Sequence, residues 1–86
     1  MKSLKTTLTE ARAETMEATK KVIHDLKKER GELKYKIKKL SRFKKSKRWY
    51  KIGAKQQTLL QYQYDVMCCY HNILTARIDC LKGDTE

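Results

Sequence analysis

The chain has 86 residues, no proline, three glycines, three cysteines and a formal net charge of +11. That length allows one domain at most, and a chain so short needs a staple or a partner before it can bury a sizeable core. Abundant Lys, Glu, Leu, Ala, Arg and Gln with so few turn residues argue against an all-β fold and for helices.

The N-terminal MKSLKTTLTEARAE is polar after its first lysine and does not read as a secretory signal. The longest apolar run, Val66 to Tyr70, is far too short to span a bilayer. A cytoplasmic, reducing location without membrane insertion is therefore expected. Cys68, Cys69 and Cys80 are then reduced thiols that act as small apolar residues.

A first helix is predicted over about 4–44. Thr7-Leu8-Thr9-Glu10 fits a capping box, with Ser3 as an earlier start. From Leu4 the positions Leu8, Ala11, Thr15, Ala18, Val22, Leu26, Glu29, Leu33, Ile37 and Leu40 step by three or four and trace one helix face. Lys44 would be next on that face, and Lys45, Ser46, Lys47 and Arg48 follow it, so the pattern breaks in a basic turn at about 44–47. Ser46 is the expected cap of a second helix over about 47–82, with apolar positions from Trp49 and Ile52 to Ile78 and Leu81 and a stop at Gly83.

Two helices of roughly 54 Å joined by a short break imply an antiparallel hairpin. Residues whose numbers add to about 90 are expected to face one another. The second helix spreads Leu59, Leu60, Val66, Met67, Tyr70, Ile73, Leu74 and Ile78 over nearly half its circumference, more than one neighbour covers. The expected architecture is thus an all-α two-helix hairpin, one domain over residues 1–86, that pairs as a homodimer in a four-helix bundle or antiparallel coiled coil. The eight residues just named form the expected oligomer interface. Glu29, Gln56, Gln63 and Arg77, polar positions on these stripes, are expected to set register, with Arg77 meeting Glu14 or Glu17.

Charge is unevenly placed. Residues 20–55 hold sixteen basic and three acidic groups, and residues 34–52, KYKIKKLSRFKKSKRWYKI, hold ten basic groups and no acid. Crowding like charge costs self-repulsion, which a polyphosphate partner relieves by releasing counterions. Lys34, Lys36, Lys38, Lys39, Arg42, Lys44, Lys45, Lys47, Arg48, Trp49 and Lys51 are the expected contacts to DNA or RNA, and Trp49, Tyr50 and Phe43 are expected either to pack the turn or to stack on unpaired bases. No RRM, KH, zinc-finger or helix-turn-helix pattern accompanies them, so low sequence specificity is expected. The alternative is a small adaptor or inhibitor, of the kind mobile elements encode, that docks on another protein. Its basic tip would meet an acidic surface, or its apolar second-helix face would make the contact.

No nucleophile is paired with a base and no glycine-rich phosphate loop is present, so enzyme activity is not expected. Nor is a cofactor. His24, Cys68, Cys69 and His71 match no zinc spacing, and His24 falls on the face opposite Leu26, so no metal site is expected.

Overall fold

A computed structural model of the protein describes the backbone of residues 4–85 and the side chains of residues 15–83. Helix α1 spans Leu4–Lys44, a 3₁₀ turn spans Lys47–Lys51, and helix α2 spans Ala54–Thr85. α1 and α2 pack against each other as an all-α hairpin, forming a rod with extents of 72 × 19 × 15 Å.

The first helix follows its expected bounds, and its backbone is already helical before Thr7. The side chains of the Thr7–Glu10 capping box, like that of Glu14, lie outside the described residues. The connection departs from expectation. Ser46 does not cap α2; it precedes the 3₁₀ turn without a side-chain cap, its Oγ donating instead to the Phe43 carbonyl at 2.6 Å. The chain then needs a left-handed residue to enter α2, and Gly53 supplies it with φ 86°, the one positive φ among the described residues. Gly83 does not end α2, because it keeps a negative φ and the helix runs on to Thr85.

A longer connection shifts the register. Arg30 Nη1 donates to Thr75 Oγ1 at 3.3 Å, and the Lys44 ammonium sits 4.2 Å from the centre of the Tyr64 ring. These partners add to about 105, so each α1 residue meets a residue of α2 roughly four turns later than an immediate reversal would give. The first turns of α2 face the 3₁₀ turn instead of α1, as the hydrogen bond from Gln57 Nε2 to the Trp49 carbonyl at 2.8 Å shows.

The core is thin. Leu26, Leu33, Leu74 and Ile78 are buried, with Ile23, Ile37, Met67 and Leu81 packed around them. On α1 the facing positions are Ile23, Leu26, Arg30, Leu33, Ile37 and Leu40, which alternate by three and four and so keep a 3.5-residue repeat. The straight 3.6-residue stripe drifts off this seam. That drift explains why Val22 is exposed while Ile23 packs inward, and why Arg30 lies on the seam with Glu29 at its edge. α2 answers with Tyr64, Met67, His71, Leu74, Ile78 and Leu81 at the same spacing. Glu29, Gln56, Gln63 and Arg77 are all exposed and set no core layer, and among the described residues no polar or charged group is buried.

Three of the eight expected interface residues face α1. Leu74 and Ile78 are fully buried there and Met67 packs against them, so the hairpin itself takes up this part of the surface, and Leu60 is half-buried. Leu59, Val66, Tyr70 and Ile73 remain exposed.

Candidate nucleic-acid interface

The tip is built by a helix that stops under like charge. Lys45 N–H donates to the Arg42 carbonyl at 3.1 Å and Ser46 N–H to the Phe43 carbonyl at 3.0 Å, closing the last turn of α1. Phe43 and Trp49 then meet edge to face with ring centres 6.2 Å apart, which folds the 3₁₀ turn back onto the end of α1. This aromatic contact holds the backbone so that the basic side chains splay outward.

Nine of the ten basic residues of the tip are exposed: Lys34, Lys36, Lys38, Lys39, Arg42, Lys45, Lys47, Arg48 and Lys51. Lys44 differs. It is half-buried and lies over the Tyr64 ring, a contact that neutralises none of its charge but pins its position. None of the ten makes an ion pair among the described residues; Lys20 pairs with Glu17 and His24 with Asp25 instead, away from the tip.

Of the two expected roles, Trp49 and Phe43 take the packing one: Trp49 is half-buried and takes part in the turn through Phe43 and Gln57. The exposed rings of the tip are Tyr35 and Tyr50, at 67 and 81% of their full accessibility. Tyr35 shares the outward face of α1 with Lys38, Lys39 and Arg42, since positions three and four apart are neighbours on a helix. Both tyrosines offer a flat face next to cations.

The basic surface also continues down one flank of the hairpin, which the α1 charge run alone does not reveal. Lys27, Arg30 and Lys34 line an open groove together with Gly31 and His71. Beside it Lys34 and Lys38 line a second groove of about 260 Å³ with Cys68, His71 and Asn72. Gly31 has open space where a side chain would stand, which widens the floor. His71 and Asn72 belong to this surface because the register places them there. A sequence signal for them existed only in the pairing number, which depends on the length of the turn.

The opposite flank is mixed in charge, with Asp25, Glu29 and Glu32 beside Lys28. There the Tyr70 hydroxyl donates to Glu29 Oε1. That hydrogen bond raises the Tyr70 phenol above its ordinary pKa, with desolvation and the carboxylate charge acting in the same direction and Arg77 opposing them. The hairpin thus has one basic flank and one flank where acids and bases alternate.

Among the described residues no group of three His, Cys, Asp or Glu side chains is placed to hold a metal ion. His24 points into solvent beside Asp25, 3.5 Å away. Cys69 and Cys80 are exposed and Cys68 is half-buried, all as free thiols. No helix among the described residues is long and apolar enough to cross a membrane.

Fold and surface together define a helical-hairpin protein with a charged tip and open, shallow side grooves. The Sequestin family model matches residues 20–80, most of the chain, and the protein belongs to that family. No curated protein and no solved structure gives a match.

Proposed function

We propose that this protein binds nucleic acid through its phosphate backbone, without catalysis and with little sequence preference. One observation carries the reading: nine exposed cations crowd the tip, no acid lies in residues 34–52, and none of the cations is paired within the described chain. Such a surface gains most from a ligand whose negative charges are closely and regularly spaced, because each phosphate neutralised releases a counterion. Lysine supplies most of the cations, and as a flexible point charge it binds phosphate without demanding one geometry. The flank of Lys27, Arg30, Lys34 and Lys38 extends the contact along the rod, and Tyr35 and Tyr50 give unpaired bases a face to stack on.

The test is a fluorescence anisotropy titration with labelled DNA and RNA, single-stranded and duplex, in lengths from dinucleotide upward. With about six phosphates contacted, duplex affinity should fall with salt along a log-log slope near −5, and less steeply for a single strand. Reversing charge at Lys38, Lys39, Arg42 and Lys45 to Glu should abolish binding to every sequence with helicity retained. The same change at Lys2, Lys5, Lys20 and Lys21 should do far less. No binding at low salt to any of these ligands would sink the reading, and an acidic protein surface would become the partner to seek. The length series shows how short a phosphodiester still binds.

A further inference from the structure

α2 carries a second apolar seam that nothing in the hairpin covers. Leu59, Tyr62, Val66, Cys69, Ile73 and Ala76 alternate by three and four, and all six are exposed, Tyr62 and Val66 to 62 and 66%. With two such repeats in one helix, the angle between them follows from the offset. This seam lies roughly 150° from the one that packs on α1. α2 is therefore built as an inner helix, apolar on two nearly opposite faces, whereas α1 has one.

We propose that a second copy of this chain covers the outer seam, its α2 running antiparallel to the first. The pairing is centred between Val66 and Cys69, so that facing residues have numbers adding to 135. Each layer then matches a larger residue with a smaller one: Leu59 with the partner's Ala76, Tyr62 with the partner's Ile73, Val66 with the partner's Cys69. A parallel pairing would set Tyr62 against its own copy and leave a gap between two Ala76 methyls, which close-packed interfaces do not tolerate.

Charge selects the same orientation. Parallel hairpins would lay two tips side by side, each with ten cations in residues 34–52. Antiparallel hairpins separate the tips to opposite ends of the assembly and bring Lys55 next to the partner's Asp79, both exposed in the single hairpin. Beside the seam, Asp65 faces the partner's Asn72 and Gln56 the partner's Arg77, so no like charges meet. The interface is isologous and closes on itself as a dimer with the two α2 helices inside and the two α1 helices outside. It does not depend on the identity of any ligand.

Cross-linking distinguishes the orientations. In a full-length variant with Cys68→Ser, Cys69→Ser and Lys55→Cys, the thiols are Cys80 and the introduced one. They lie 25 residues apart on one helix, about 37 Å, and a short bismaleimide cannot join them within a chain. Antiparallel pairing sets them against each other across the interface, so a covalent dimer should form in high yield. The parent that keeps Lys55 and has Cys80 alone should stay uncross-linked, and Val66→Asp in the Lys55→Cys variant should abolish the product. A dimer that cross-links through Cys80 alone means a parallel arrangement and overturns the proposal. So does a monomer in sedimentation equilibrium at micromolar concentration, or a cross-link indifferent to Val66→Asp.

Discussion

Ile73 and Leu74 are neighbours in sequence with opposite surroundings, and shortening each to alanine separates the hairpin core from the outer seam. Leu74 is completely buried, while Ile73 is 56% exposed in the single hairpin. Removing a buried leucine side chain loses its transfer free energy and leaves a cavity, about 2 to 5 kcal/mol in well-packed cores. A chain of this size has total stability on the order of 4 to 13 kcal/mol, so the loss is a large fraction of the whole. The core here has just four buried residues, among the described ones, to share the strain. The expected fall in melting temperature is at least about 10 °C. Ile73→Ala, measured where the protein is dilute, should change stability by less than about 0.5 kcal/mol, since it removes a side chain already half in water and substitutes the best helix former. If the proposed antiparallel pairing of α2 forms, Ile73→Ala should become destabilising at higher concentration and Leu74→Ala should stay so. Urea and thermal melts followed by circular dichroism over a hundredfold concentration range read both effects. Equal losses for the two variants at the lowest concentration would refute the packing described for α2.

Gly53→Ala should destabilise by about 1 to 2 kcal/mol in the same melts, because the site has open space for a methyl group but a φ that L-residues resist; a neutral variant would mean that the turn does not need its left-handed residue. Trp49→Ala should weaken folding with little direct effect on binding, since the ring packs on Phe43, whereas Tyr50→Ala should leave stability unchanged and reduce single-strand affinity by about 1 to 3 kcal/mol with duplex affinity intact. The reverse assignment of the two losses would show that Trp49 is the stacking ring. Tyr70 keeps its proton to higher pH than an ordinary tyrosine, so its bond to Glu29 contributes stability that is fully present below the usual tyrosine range and is lost as pH rises through the raised value. Tyrosinate absorbance should therefore lack its latest-titrating component in Tyr70→Phe, and an unchanged alkaline titration would remove that interaction from the account.

Two helices, their opposite directions and the concentration of charge at the bend were all legible without coordinates. The 3.6-residue recurrence over the first half of the chain, its failure at Lys44, and a second recurrence after it suffice for a hairpin. Nine of the ten cations of residues 34–52 are exposed because a helix end and a tight turn have no interior in which to hide them. The stripe positions were close but not right. Val22 and Glu29 fit a straight helix, while Ile23 and Arg30 fit the 3.5-residue seam that two helices adopt when they wind around each other.

What the sequence alone determined is local: which segments are helical, which residue types ride on them, and where like charges crowd. These follow from propensity and periodicity within a few turns of chain. The tertiary structure decided the pairing of α1 with α2, because that depends on the rise of a 3₁₀ turn and on one left-handed glycine, and an error of a few residues there moves every partner. It thereby divided the broad apolar surface of α2 into a seam spent on α1 and a seam left open, and it brought His71 and Asn72 beside Lys34. Trp49 shows the same limit: whether an aromatic residue in a basic turn stacks on a ligand or packs the turn depends on where Phe43 stands in three dimensions.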